Sequence, residues 1–342
     1  MKIMDNYKKL TAIFIISILS LARYNLPLRL RIPVFAFEYS FLGFETRMVI
    51  NSFYMFNLLS QLALPIAAYL LVININQIKN LKKIMVYTGL FAVLSQVAIL
   101  FVNMSYSQIG IFTSAPISPL SQFFTGGNFF HMLFWGLVAI VTYEKLKTRK
   151  YQIFAFIPFG LAMVIAISLN LSTILASALF ITSIILSNLL INHLPIVDVN
   201  ENKKRNKFSN ILIPALIVFM YGSWYLLPST SYILGMALIL YLHIAIKNNF
   251  GHAKTLAIVV LTYYSLIILS HFLFISPEAM PSTVFHVVIF ILPAMLFSML
   301  GVLLIRMFSV SEEQIERNHI ANIVGSGVYP LAILFIHFSF IM

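Results

Sequence analysis

No cysteine occurs in this 342-residue chain, which excludes disulfides, thiolate metal sites and a cysteine nucleophile. Charge is nearly as scarce. Only 9% of residues are Asp, Glu, Lys or Arg, where soluble domains carry roughly 25%. Aspartate is missing from every long apolar stretch, which weakens a proton-driven transport reading. Also absent are a His-Glu-x-x-His zinc motif, a phosphate-binding glycine loop, a nucleophile elbow and a glycine-rich dinucleotide turn. Paired Gly/Pro interruptions in matching halves, the mark of broken transporter helices, are not evident either.

What is abundant is apolar length. Residues of the apolar set make up 61% of the chain. A hydrocarbon core takes about 20 apolar residues per helix, and a run of 18 or more with few charges is a span candidate. Stretches near 8–22, 48–75, 84–103, 127–143, 152–169, 172–193, 210–227, 230–247, 254–275, 283–306 and 326–342 fit. The expected fold class is therefore all-α, a polytopic integral membrane helical bundle of about 11 transmembrane helices (range 9–12) in one domain, 1–342. A basic loop at 195–209 divides a front half, 1–194, from a back half, 210–342.

The net charge of +12 follows from topology rather than from nucleic acid, because Lys and Arg are retained in cytoplasmic loops during insertion. Of 22 Lys and Arg residues, 18 fall in alternate connections: Lys2, Lys8 and Lys9; Lys79, Lys82 and Lys83; Lys145, Lys147, Arg149 and Lys150; Lys203, Lys204, Arg205 and Lys207; Lys247 and Lys254; Arg306 and Arg317. The intervening loops at 104–126, 170–171, 228–229 and 276–282 hold none. The pattern reads as N-in, C-out in a plasma (inner) membrane, with membrane lipids as partners and no nucleic acid.

Lys8, Lys9, the run Leu10–Leu21 and the small pair Ser20/Ala22 resemble a signal peptide with its cleavage site, though an uncleaved first span is the preferred reading. The basic run Lys203–Lys207 suits a topology determinant or phospholipid contact. Ser311 with Gln314 has capping-box spacing for a short surface helix. The loop 104–127 is uncharged, and re-entrant loop, lid and connector all remain open for it.

The remaining basic residues, Arg23, Arg29, Arg31 and Arg47, share one outer loop with Phe35, Phe37, Glu38, Tyr39, Phe41, Phe44 and Glu45. Aromatics among charges suit the headgroup zone. The loop is either an interfacial re-entrant segment or a roof whose arginines hold an anionic group bidentately. Its candidate substrate-binding residues are Arg23, Arg29, Arg31, Arg47, Glu38 and Glu45, with Gln61 nearby in the second span.

Polar residues at membrane depth are site candidates. Of the 8 histidines, His131, His271, His286 and His337 map to outer span ends. His193, His243, His252 and His319 map inside. His131, beside Asn128, is the leading general base, because burial and neighbours set a histidine's basicity.

Two stretches carry a family resemblance. Leu59–Val72, followed by Asn80–Ile84 and Phe91–Gln96, is similar to a Gly-Arg-x-Ala-Phe-Pro-x-Phe-Ala pattern, a basic turn and a span ending near Ser-Gln. Gly127–Lys145 resembles an Asn-x-Leu-Phe-Thr-x-x-x-Gly segment, with Asn128 and Gly136 in register. Both belong to the TraX family, membrane proteins associated with N-terminal acetylation of conjugative pilin. Val328–Ala332 is a weaker match to its Tyr-Pro-x-His. Where the family has Asp-His in its first span this chain has Leu19 and Ser20. Gln61 stands in place of the family Arg, and Ala332 in place of its last His.

The resemblance implies a membrane acyltransferase, moving acetyl from cytoplasmic acetyl-CoA to a pilin N-terminus or envelope molecule at the outer face. Lys79, Lys82 and Lys83 would attract the donor's phosphates. His131, oriented by Asn128, would be the base. The alternatives are a non-catalytic assembly or scaffold component of a secretion or conjugation system, which the replaced polar motif favours, and a lipid or small-molecule transporter.

Overall fold

The computed structural model describes residues 6–24, 33–41, 44–51, 58–77, 81–108, 129–169, 171, 173–196, 209–222, 231–273, 283–284 and 286–308. Asn128, Arg29, Arg31, Lys79, most of the loop 195–209 and the stretch 326–342 lie outside them. Every described element but one ribbon is helical. The elements run α1 (Asn6–Tyr24), β1 (Pro33–Phe41), β2 (Phe44–Asn51), α2 (Ala63–Gln77), α3 (Leu81–Gln108) and α4 (Phe129–Leu146). After a 3-10 turn, Gln152–Phe156, follow α5 (Ile157–Ser168), α6 (Thr173–His193), α7 (Ser209–Gly222), α8 (Ser231–Lys247) and α9 (His252–Leu273). A π turn, Val287–Ile291, then leads into α10 (Leu292–Met307).

The helical class expected from sequence holds among the described residues, with this ribbon as a local departure. It replaces part of the outer loop and the start of the stretch read as a 48–75 span, whose helix begins instead at Leu58. Strands β1 and β2 pair antiparallel, with Phe35 opposite Ile50, Phe37 opposite Met48, Tyr39 opposite Thr46 and Phe41 opposite Phe44. Ala36, Glu38 and Ser40 face Val49, Arg47 and Glu45 in the alternate register positions. Period-two alternation of aromatic and β-branched residues is a strand signal, and it outweighs overall hydropathy here.

Among the described residues, three helices are long and apolar enough to cross a membrane: Leu58–Ile75, His252–Leu273 and Val287–Met307. They differ in setting, since 72% of the first is buried inside the protein against 17% of the second. Exposed Ile258, Leu261, Leu266 and Leu269 make α9 apolar on its outward side too. A soluble helix keeps that side polar, so this surface fits lipid. The few polar side chains follow the same logic. Thr11, Ser17 and Thr88 bond carbonyls four residues back in their own helices, which satisfies them without a partner helix, and Asn74 Nδ2 does the same to the Leu70 carbonyl.

Contacts divide the chain into two compact units, 1–79 with 245–342, and 80–244. In the first, α2 and α9 run antiparallel, with Gln61 beside Tyr264 and Tyr69 beside His252. Helix α10 packs on both, through Ser298 at Tyr264 and through Gly301 against Pro65 and Leu62. In the second, α3 and α4 are antiparallel, with Phe91 on Phe130 and Gly89 against Phe134. Helices α7 and α8 are antiparallel as well: Gly222 faces Ile233, and the Tyr241 hydroxyl donates to the Ile211 carbonyl at 3.1 Å.

Candidate functional site

The best-defined polar chemistry lies in the second unit and is positioned by α4 and α8, which run parallel. A Cβ at Gly136 of α4 would meet Ile239 Cδ1 at 2.5 Å, and one at Gly235 of α8 would collide with the Met132 side chain. Each glycine therefore receives a long side chain from the facing helix, and the backbones approach closely, as small residues allow in membranes. Following that alignment towards the C-terminal ends, the next facing pair is Glu144 and His243. His243 Nε2 lies 3.0 Å from Glu144 Oε1, across 99 residues of sequence. The carboxylate accepts only, so Nε2 carries the proton and donates.

Glu144 has a second role. Its Oε2 lies 2.6 Å from Lys147 Nζ, one turn further on. The two oxygens thus hold different cations, or a cation and an imidazole. The His243 side chain is 4% exposed and that of Glu144 is 28% exposed, so the pair is a buried ring on a partly open acid. His243 Nδ1 is buried with no hydrogen-bond partner among the described residues. A buried polar atom left unpaired costs about 1–3 kcal/mol and calls for a reason.

Below this pair, α4, α6 and α7 are pinned by a closed polar ring. The Tyr221 hydroxyl lies 2.7 Å from Thr142 Oγ1 and accepts from Asn188 Nδ2 at 2.9 Å. Thr142 donates to Asn188 Oδ1 at 3.3 Å. Trp135 stacks on the Tyr221 ring at 5.4 Å. Every member is satisfied, so this ring braces the bundle.

Of the residues expected from sequence, His131 is half-buried in the first turn of α4, at the opposite end of that helix from Glu144. The separation of 13 positions corresponds to about 20 Å of helix. Gln61 is tied into the first unit, accepting from the Tyr264 hydroxyl at 3.4 Å. Arg47 and Glu38 are directly opposed in the ribbon, while Glu45 opposes Ser40. Arg23 falls in the last turn of α1. Lys82 is exposed in the first turn of α3, followed by Lys83. Glu144 and His243 were not singled out from sequence. The available signal was an acid, Glu144, retained in a connection otherwise filled by Lys145, Lys147, Arg149 and Lys150.

A metal centre needs clustered His, Asp or Glu, and no group of three or more occurs among the described residues. No family model, curated protein or solved structure matches the chain.

Proposed function

We propose that this chain is a multi-pass inner-membrane acyltransferase, TraX-like in its overall plan, with His243 as general base and Glu144 as the group that orients it. The observation that carries the reading is the buried imidazole whose Nε2 is held by a carboxylate while Nδ1 has no hydrogen-bond partner among the described residues. A base needs that division: one nitrogen fixed, the other available to a proton.

In the proposed step, a hydroxyl or amine acceptor attacks the acyl carbon of a thioester. The new oxygen–carbon or nitrogen–carbon bond forms as the carbon–sulfur bond breaks. His243 Nδ1 takes the acceptor's proton and returns it to the departing thiolate, so no proton is left unbalanced. Glu144 stabilises the imidazolium formed between these events. Lys82, Lys145 and Lys150 suit attraction of an acyl-CoA donor's phosphates. The TraX resemblance suggests acetyl as the group moved, and a pilin N-terminus or other envelope molecule as its acceptor.

The proposed N-in, C-out orientation agrees with the way basic residues gather in the second unit. Its antiparallel pairing of α3 with α4 brings the start of α3 and the end of α4 to one side, and these are the ends bearing Lys82 and Lys145–Lys150. On this orientation the base sits about one helical turn inside the cytoplasmic surface. That depth is why His243, rather than His131, is proposed as the base.

The test is transfer of isotope-labelled acetyl from acetyl-CoA to membrane components in inverted vesicles. Wild type is expected to label an envelope acceptor. His243→Gln, which keeps a donor towards Glu144, is expected to lose roughly 100- to 10,000-fold, and Glu144→Gln to lose less. A folded His243→Gln protein transferring at the wild-type rate overturns the assignment.

A further inference from the structure

The connection between α4 and α5 is unusually well fixed for a surface turn. The Lys150 amide donates to the Pro195 carbonyl at 2.8 Å, and Arg149 bridges to Ile196. Gln152 Nε2, buried, closes the turn by donating to the Leu146 carbonyl at 2.7 Å. Tyr151 takes a left-handed conformation, φ 52°, which an L residue adopts only at some cost. These bonds tie the end of α4 to the end of α6.

The anchoring converges on one side chain. Arg149 Nη1 donates to the Leu194 carbonyl at 2.7 Å. Its Nε is buried and donates to nothing among the described residues. A guanidinium grips a phosphate or carboxylate by two parallel N–H groups, and Nε forms half of one such edge. Tethering Nη1 therefore fixes the plane of the fork and leaves the Nε edge for an external anion. Lys145 is exposed nearby on the last turn of α4, adding the same sign of charge, and Lys147 is already engaged by Glu144.

The neighbouring surface gives the depth. Tyr151, Ile153 and Phe154 follow directly and are 65%, 56% and 48% exposed, with the Tyr151 and Phe154 rings 6.0 Å apart. Exposed aromatic and aliphatic side chains beside fixed basic ones mark the boundary between acyl chains and headgroups. An anion reaching Arg149 there is at the level of lipid phosphate.

We infer that the α4–α5 connection is a phosphate-binding notch at headgroup depth, in which Arg149 grips a phosphate ester through the guanidinium edge that its tether to Leu194 leaves open. The chemistry is that of an anionic phospholipid headgroup or of a soluble nucleotide phosphate at the same level. The notch does not depend on acyl transfer, and it assigns Arg149 a ligand that the proposed reaction does not use as a base or acid.

The experiment is native mass spectrometry of the delipidated full chain, titrated separately with phosphatidylglycerol, phosphatidylcholine and coenzyme A. Wild type is expected to hold one phosphatidylglycerol in preference to phosphatidylcholine. Arg149→Gln is expected to weaken that binding about tenfold. Arg149→Lys, which can keep the bond to Leu194 and the charge but lacks the planar fork, is expected to weaken it too. Loss of coenzyme A binding alone in Arg149→Gln identifies the nucleotide as the source of the phosphate. Equal affinities of wild type, Arg149→Gln and Arg149→Lys for all three probes overturn the notch, whatever the transfer assay shows.

Discussion

At the residue scale, the decisive contrast is between a satisfied polar ring and an unsatisfied one. Tyr221, Thr142 and Asn188 close on one another, so their bonds serve stability. Removing the hydroxyl in Tyr221→Phe leaves Thr142 and Asn188 each short of a partner. The expected loss is roughly 1–3 kcal/mol, measurable by denaturant unfolding in micelles, with acyl transfer kept in the protein that remains folded. His243 presents the reverse case, a buried nitrogen with no hydrogen-bond partner among the described residues. His243→Leu replaces that nitrogen by carbon and removes the imidazole from Glu144, which keeps Lys147. Little change in stability is expected there, because Glu144 keeps its 2.6 Å ion pair and partial exposure. A large loss of stability in His243→Leu would assign the histidine a structural task instead. Single-sequence reading found the polar residues of this chain readily. It could not rank them, because His131 and His243 look alike until their neighbours are known.

At the element scale, the pairing of α4 with α8 decides which histidine meets an acid. Gly136 and Gly235 were visible as letters, and Gly136 fell within the segment resembling TraX. Nothing in the sequence matched either to its partner helix. Helices that are apolar all round carry no stripe to mark the packed face. The ribbon was legible in principle, since Phe35, Phe37, Tyr39 and Phe41 alternate with small or charged residues, yet hydropathy assigned its second strand to a span. Gly136→Leu should push α4 from α8 at a cost of roughly 1–3 kcal/mol, pull Glu144 away from His243 and lower transfer. Combined with Ile239→Ala, which makes room, it should regain much of both. The check is a double-mutant cycle read in unfolding and in transfer, where coupled neighbours depart from additivity by about 0.5–3 kcal/mol. Strict additivity would mean that the glycine contact does not hold the pair in place.

At the scale of the whole molecule, composition carried most of what could be read. Scarce charge, abundant apolar residues and alternating basic connections indicated a helical membrane protein, and three described helices have the length and apolarity to cross a bilayer. The division into two units at 79/80 and 244/245 had no counterpart in loop composition, because it depends on which helices touch rather than on where polar residues collect. Absence of cysteine makes orientation directly measurable, since any introduced thiol is unique. Thr148→Cys and Asn249→Cys should react with an impermeant maleimide only in inverted vesicles, and Leu171→Cys only in intact cells. Thr148→Cys reacting from outside would reverse the proposed orientation and remove the base from the cytoplasmic side.

The central claim is that a thioester donor is used at the basic end of the second unit. Calorimetry of the full chain in nanodiscs, titrated with acetyl-CoA, tests it most directly. The account predicts saturable binding in the micromolar range, weakened when Lys82 and Lys145 are both changed to Gln. No detectable binding by protein whose unfolding transition is intact would contradict the acyltransferase reading, and leave Glu144 and His243 as a structural pair.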